Sequence, residues 1–231
     1  CSEAASTGTF NFGWREDSRV QVLYCGEDFA AFEEPVDRAE VRREFDLPAN
    51  AFVIGHVGRF ARQKNHQFII EIAREILPLD ESIRFLLIGD GPLRGEIESA
   101  VDEAGLRANI RFAGNRRDVP RLLKGAVDLF LLPSLHEGLG LVLIEAQAAG
   151  LSCLVSDAVP NEADVIPGLV SRLPLASPGI WAKTILHTKE SPCVISRDEA
   201  VATLAHSRFA VGQSVSELCG LYESSLNDRL D

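Results

Sequence analysis

The sequence predicts an α/β fold, a doubly wound parallel sheet followed by C-terminal helices. Three observations carry this expectation. From about residue 50, short continuous apolar runs recur, as expected for strands with helices covering both faces. Helix-patterned segments alternate with those runs, which argues for parallel βαβ units. Polar and glycine-bearing loops fall where the strands end, which is where ligands bind in such sheets.

The elements follow in order. The segment 51–57 (AFVIGHV) reads as a strand, and NHQFIIEIAREIL as an amphipathic helix with Phe68, Ile69, Ile72, Ile76 and Leu77 at helical spacing. RFLLIGDG reads as a second strand ending in glycines. PLRGEIESAVDEAG reads as a helix with Pro92 in its first turn. IRFAG, DVPRLLKGAV, DLFLLPS, LVLIEAQAAG and SCLVSD continue as strand, helix, strand, helix and strand, and VSRLPL reads as a last strand. Three helices follow: GIWAKTILHT, RDEAVATLAHS and QSVSELCGLYESSLND. The charged stretch 33–48 reads as a hinge or a surface helix. Before it, the first ten residues read as the end of a helix, 20–24 (VQVLY) as a short strand and 25–28 as a turn. These have no evident partners, the chain opens on Cys1, and it contains no Met. The expectation is a fragment whose N-terminal part is missing.

With 231 residues, 46% of them hydrophobic, the chain is long enough for a substantial core. Its net charge of −11 argues against general nucleic-acid binding or attraction to an anionic membrane. No apolar run approaches the ~20 residues of a membrane-spanning helix. Cys1, Cys25, Cys153, Cys193 and Cys219 form no CxxC pair and read as free thiols in a reducing compartment. His56, His66, His136, His187 and His206 show no metal-binding spacing, so no protein-bound metal is expected. Cys153 and Trp181 read as core residues.

The segment 130–151 (FLLPSLHEGLGLVLIEAQAAGL) is the most informative. A buried strand ends at Pro133, and a loop carries Glu137, Gly138 and Gly140 into a helix whose one charge is Glu145. A carboxylate in such apolar surroundings is costly to bury unpaired. The glycines permit close approach of a ligand, and a helix start suits a phosphate. Read locally, this is a site for a phosphorylated, polyhydroxylated ligand. A plain strand–loop–helix unit with a solvated Glu145 fits the segment about as well. The loop GRFARQK places Arg59 and Lys64 after an earlier strand, where they suit a diphosphate. GDGPLRG departs from GxGxxG and is a weak phosphate signal, and a tight turn at Gly91 explains it better. Asp90, Asp118 and Asp157 read as caps or turn residues.

Together, GRFARQKNH, LLIGDGPLR, IRFAGNRRDVPRLL and LPSLHEGLGLVLIEAQAAGL resemble the donor-binding half of retaining family-four glycosyltransferases of GT-B architecture, of the exopolysaccharide and capsule type. Glu137 and Glu145 stand in that group's E-x7-E spacing. The resemblance implies that residues 1–32 are a remnant of an N-terminal acceptor domain and crossover, and that 33–231 form the Rossmann-like donor-binding domain. It implies that Arg59 and Lys64 hold the donor diphosphate. Backbone amides at Gly138, Leu139, Gly140 and Leu141 would hold phosphate and sugar. Glu145 would bind the ribose and Glu137 the donor sugar. Arg116, Arg117, Asp118 and Val119 would lie against the base. Glu137, Arg59 and Lys64 are thus the candidate catalytic residues.

The implied function is transfer of a hexose from a nucleotide-sugar, by default a UDP-sugar, to a glycan or lipid-linked acceptor with retention. The fixed cations make a divalent metal unnecessary, so no cofactor is expected. The acceptor would be bound through the missing domain, so the fragment alone is expected to be inactive. The expected location is cytoplasmic, with peripheral attachment at the inner face of the membrane an open option for the full-length protein. A GT-B epimerase or hydrolase and a non-catalytic nucleotide-sugar binding module are the alternatives. The E-x7-E spacing and the upstream Arg…Lys pair favour the transferase over the epimerase or hydrolase. The broken GxGxxG disfavours a dehydrogenase.

Overall fold

The computed structural model describes residues 2–10, 14–17, 20–192 and 195–227. Cys1 and Cys193 lie outside them, and Cys25, Cys153 and Cys219 are free thiols.

Six strands form one parallel sheet: β1 (Phe52–Val57), β2 (Ile83–Ile88), β3 (Ile110–Gly114), β4 (Leu129–Leu132), β5 (Ser152–Ser156) and β6 (Val170–Leu173). Their order is β3-β2-β1-β4-β5-β6. The winding therefore reverses between β1 and β4, and that crevice is the switch point.

Ten helices accompany the sheet among the described residues. They are α1 (Glu3–Phe10), α2 (Ala30–Glu33), α3 (Arg38–Glu44), α4 (His66–Ile76), α5 (Arg94–Glu103), α6 (Val119–Gly125), α7 (Leu141–Ala148), α8 (Pro178–Glu190), α9 (Arg197–Ala205) and α10 (Val211–Asn227). Side chains of β4 show why both faces are covered. Phe130 and Leu132 pack with Leu122, Leu143 and Leu204 on one face, and Leu129 and Leu131 with Ile69, Ile72 and Ile185 on the other. Each fully buried side chain of this size contributes about 1.5–3 kcal/mol. Cys153 and Trp181 are buried as expected, and the Trp181 indole donates to the Pro174 carbonyl at 2.9 Å.

Three sequence expectations are corrected and a fourth is narrowed. The segment 20–24 forms no strand. Its neighbourhood holds to the C-terminal helices through side chains and single bonds: Ser214 Oγ donates to the Tyr24 carbonyl, Tyr24 meets Phe209 edge-on, and Glu27 bridges Ala210. The N-terminal residues thus do have partners. Pro92 lies in the turn before α5, not within it. The 33–48 stretch yields α3, a surface helix anchored from beneath. Its buried Arg42 donates to Asp128 and to the carbonyls of Ala49, Ala51 and Ala126, so it does not act as a hinge.

Candidate functional site

Two corners meet at the switch point, one after β1 and one after β4. The first runs from Gly58 through a single 3-10 turn, Arg62–Lys64, to Asn65. The second runs from Pro133 to Gly140. Hydrogen bonds close one onto the other. Leu135 donates its amide to the Gln63 carbonyl at 2.8 Å, Asn65 Nδ2 to the Pro133 carbonyl at 3.1 Å, and Gln63 Nε2 to the His136 carbonyl at 2.9 Å.

Lys64 and Glu137 face each other across this junction. Lys64 Nζ lies 2.6 Å from Glu137 Oε1, which also accepts from Ser134 Oγ at 2.6 Å. Among the described residues, Glu137 Oε2 has only a long bond, from Gln63 Nε2 at 3.3 Å. The two side chains are 15% and 6% exposed, so solvent screens the pair weakly. An ammonium has three donors, and Glu137 takes one, which leaves two for a ligand. The Lys64 stem crosses Gly58 closely: a Cβ there would stand 3.0 Å from Lys64 Cγ and Cδ.

Beside the pair, α7 begins without a side-chain cap. Gly140 adopts φ +85°, a conformation glycine takes without strain. Among the described residues, the amides of Gly138, Leu139, Gly140 and Leu141 donate to no protein acceptor. Free amides at the positive end of a helix favour an anion. These residues, with Lys64, Glu137, Gly58, Val57 and Cys25, line a cavity of about 410 Å³.

Glu145 lies one helical turn beyond Leu141. Its carboxylate has no donor among the described residues. Burial, and secondarily the charge of Glu27, push its pKa up to about 7. Glu145 is half-buried and is not among the residues lining the 410 Å³ cavity, and an unpaired carboxylate with a raised pKa remains a functional-site candidate.

Arg59 is exposed and makes no ion pair among the described residues. It lines an adjoining cavity of about 380 Å³ with Asp90, Asn115, Arg116 and Val119, and this cavity shares Val57 and Gly58 with the first. The two cations expected to act together thus line neighbouring cavities. Asp118 is committed to Arg116 at 2.8 Å and to Arg121 at 3.1 Å, and Glu44 joins both arginines at 2.8 Å. Arg116 holds the Asp118 carboxyl down to about 2. Arg117 is exposed and lines neither cavity.

The Gly89-Asp90-Gly91 corner is filled by protein. A Cβ on Gly89, at φ +136°, would stand 2.0 Å from the Gly58 carbonyl oxygen, and one on Gly91 would stand 2.6 Å from that of Phe60. The Phe60 amide donates to the Asp90 carbonyl at 2.9 Å. The glycines therefore admit a neighbouring loop's backbone, which the turn reading at Gly91 did not anticipate.

Two buried histidines back this junction. His56 Nδ1 pairs with the Leu131 carbonyl at 2.9 Å, and the His66 ring stacks on Phe60 at 3.9 Å and meets His56 edge-on. Both Nε2 atoms are buried without a partner among the described residues. Burial first, then the nearby Lys64 charge, hold the His66 pKa down to about 4.

A strand-order reversal with this junction beneath it defines a Rossmann-like domain of the GT-B class. Solved structures support that class as fold. Sucrose-phosphate synthase (tll1590) from Thermosynechococcus elongatus aligns with a TM-score of 0.79 at 22% identity, over 98% of this chain and 57% of that one. Anabaena Alr3699/HepE in complex with UDP-glucose aligns with a TM-score of 0.75 at 24% identity, over 88% and 57%. The chain belongs to the family described as glycosyl transferases group 1, whose model matches residues 37–175. EpsF of Bacillus subtilis (strain 168), which carries a glycosyltransferase name, is 35% identical over 97% of this chain and 59% of its own length. The UDP-Gal:alpha-D-GlcNAc-diphosphoundecaprenol alpha-1,3-galactosyltransferase of Escherichia coli is 33% identical over 60% of this chain and 37% of its own. The chain thus spans only about 37–59% of the length of these curated relatives.

Proposed function

We propose that this chain is the donor-binding part of a retaining, family-four-type hexosyltransferase that takes its sugar from a UDP-sugar. One observation carries the reading: a cation paired to a buried carboxylate beside unoccupied helix-start amides, at the sheet's switch point. The names of relatives and neighbours that handle UDP-Gal, UDP or UDP-glucose support the choice of uracil nucleotide.

Breaking a sugar–diphosphate bond builds negative charge on the leaving diphosphate. The two spare donors of Lys64, the amides at 138–141 and the α7 dipole are aimed where that charge grows. Arg59, without an ion pair among the described residues, adds a second cation from the adjoining cavity. This cationic set does the charge neutralisation that a divalent metal would otherwise supply, so binding is metal-independent. Glu145, unpaired, accepts from the ribose hydroxyls, and Glu137 Oε2 from the donor sugar. Val119 walls the base side and Asp118 acts there by holding Arg116, while Arg117, outside both cavities, meets the base only by turning inward. A glycan or lipid-linked acceptor belongs to the rest of the whole protein, so this chain binds donor without transferring it. The whole protein works in the cytoplasm or at the inner membrane face, where its donor is held.

Calorimetric titration with UDP, GDP, ADP and NAD in EDTA tests the reading. UDP is expected to bind, and Glu145→Ala to weaken it at least about tenfold, the effect of one lost charged hydrogen bond. A folded chain that binds none of the diphosphates sinks the proposal.

A further inference from the structure

A third cavity, of about 590 Å³, shares Glu137 with the 410 Å³ cavity and nothing with the 380 Å³ one. The 410 Å³ cavity thus shares walls with both others, Val57 and Gly58 with the 380 Å³ one and Glu137 with the third. A sugar nucleotide is three parts in series: nucleoside, diphosphate and sugar. The helix-start amides and Lys64 occupy the middle position, where the diphosphate belongs.

The third cavity has a different chemistry. It lies between α1 and the loop after β5. Most of its polar side chains are already engaged. Arg15 pairs with Glu3, and Thr7 Oγ1 donates to the Glu3 carbonyl and accepts from Trp14 Nε1. Glu162 accepts from the amides of Glu3 and Ala4 and from Tyr24 Oη. Arg172 on β6 clamps Asp164 and the carbonyls of Val159 and Pro160. Asp157 and Asn161 remain, exposed and with no side-chain partner among the described residues. The Asp157 amide is fixed to the Leu173 carbonyl at 3.2 Å, and Asn161 opens the 3-10 turn Asn161–Ala163. Two free polar side chains thus project from a loop whose backbone Arg172 holds in place, the arrangement that precise recognition needs.

We propose that this cavity takes the sugar of the bound sugar nucleotide, and that Asp157 and Asn161 read its hydroxyls; this rests on the donor-binding reading above. Four carboxylates (Glu3, Glu137, Asp157 and Glu162) line the wall against two arginines, Arg15 and Arg172, which are committed to Glu3 and Asp164, so the wall favours an uncharged, hydroxyl-rich group over a phosphate. A carboxylate only accepts, and a carboxamide both accepts and donates, so the pair can tell one hydroxyl arrangement from another. The Glu137 Oε2 atom, with its single long bond, sits where the two cavities join and supplies a third acceptor.

The test is calorimetry on this chain with UDP, UDP-glucose, UDP-galactose and UDP-N-acetylglucosamine, in wild type, Asp157→Ala and Asn161→Ala. The readout is the ratio of affinity for the preferred UDP-sugar to affinity for UDP. Each substitution is expected to lower that ratio, by about tenfold for the charged Asp157 and about three- to fivefold for Asn161. A ratio unchanged in both variants overturns the inference, as does a wild-type chain that binds UDP and rejects all three UDP-sugars. Failure to bind any nucleoside diphosphate instead overturns the donor-binding reading itself, and this inference with it.

Discussion

The corners after β2 and β4 flank β1 on opposite sides, and both carry glycines ahead of a helix. After β2, the glycines are clasped against the backbone of Gly58 and Phe60. After β4, Gly138 has only Ala5 Cβ within 4 Å of a built Cβ, at 3.9 Å, and the amides that follow are free. Glycine in a strand-to-helix corner reports that something comes close to the backbone. It does not report whether that is protein or ligand. At β2 the space over the glycines is filled by another loop, and at β4 the space over Gly138 is open, with room for an anion.

The largest effect is expected at the clasp. Gly89→Ala places a methyl group against the Gly58 carbonyl in a strained conformation, and should cost about 3 kcal/mol or more by urea denaturation. A loss under about 1 kcal/mol would show that the two loops can part.

Next comes His66, which backs the clasped loop through Phe60. Its pKa is depressed, so the unfolded chain takes up a proton near pH 6.5 while the native state waits until about 4. The contribution is complete above pH 6.5 and is lost as pH falls through that window. His66→Phe should therefore narrow the stability gap between pH 7 and pH 4 by up to about 3 kcal/mol. An unchanged gap would place the acid sensitivity elsewhere.

At the open corner the costs shrink. Gly140→Ala meets no clash but must adopt a left-handed conformation, for about 1–2 kcal/mol. Gly138→Ala should change stability by less than about 0.5 kcal/mol, yet weaken UDP binding by crowding the free amides. Equal effects at Gly138 and Gly89 would erase the distinction between the corners.

The strands and the helices that cover them were legible because apolar runs such as FLL and RFLLI end at glycine, proline or serine. The corner after β4 was legible for the same reason, with Glu137 and Glu145 standing out as charges in apolar text. The pairing of Lys64 with Glu137 was not, because the two residues lie 73 positions apart and meet only through the β1–β4 reversal. The clasp on Gly89 is equally non-local. The segment 20–24 misled because its alternating apolar pattern fits a strand, yet Tyr24 is buried against Phe209 without any ladder. Asp157 and Asn161 carry no motif. They stand out only once their neighbours are seen to be occupied.

The raised pKa of Glu145 gives the proposed ribose contact a consequence in protons. With a pKa near 7, much of the free protein at neutral pH holds its carboxyl as the neutral acid. If Glu145 takes the ribose as proposed above, hydroxyls that donate to it favour the anion, and nucleotide capture is then expected to expel a proton into the medium. Heat released on binding at pH 6.5 should then vary with the ionisation enthalpy of the buffer, and affinity should strengthen as pH rises toward 7. Glu145→Gln should remove both dependences, and a wild-type binding heat identical in phosphate and in Tris would mean that the carboxylate meets no hydroxyl.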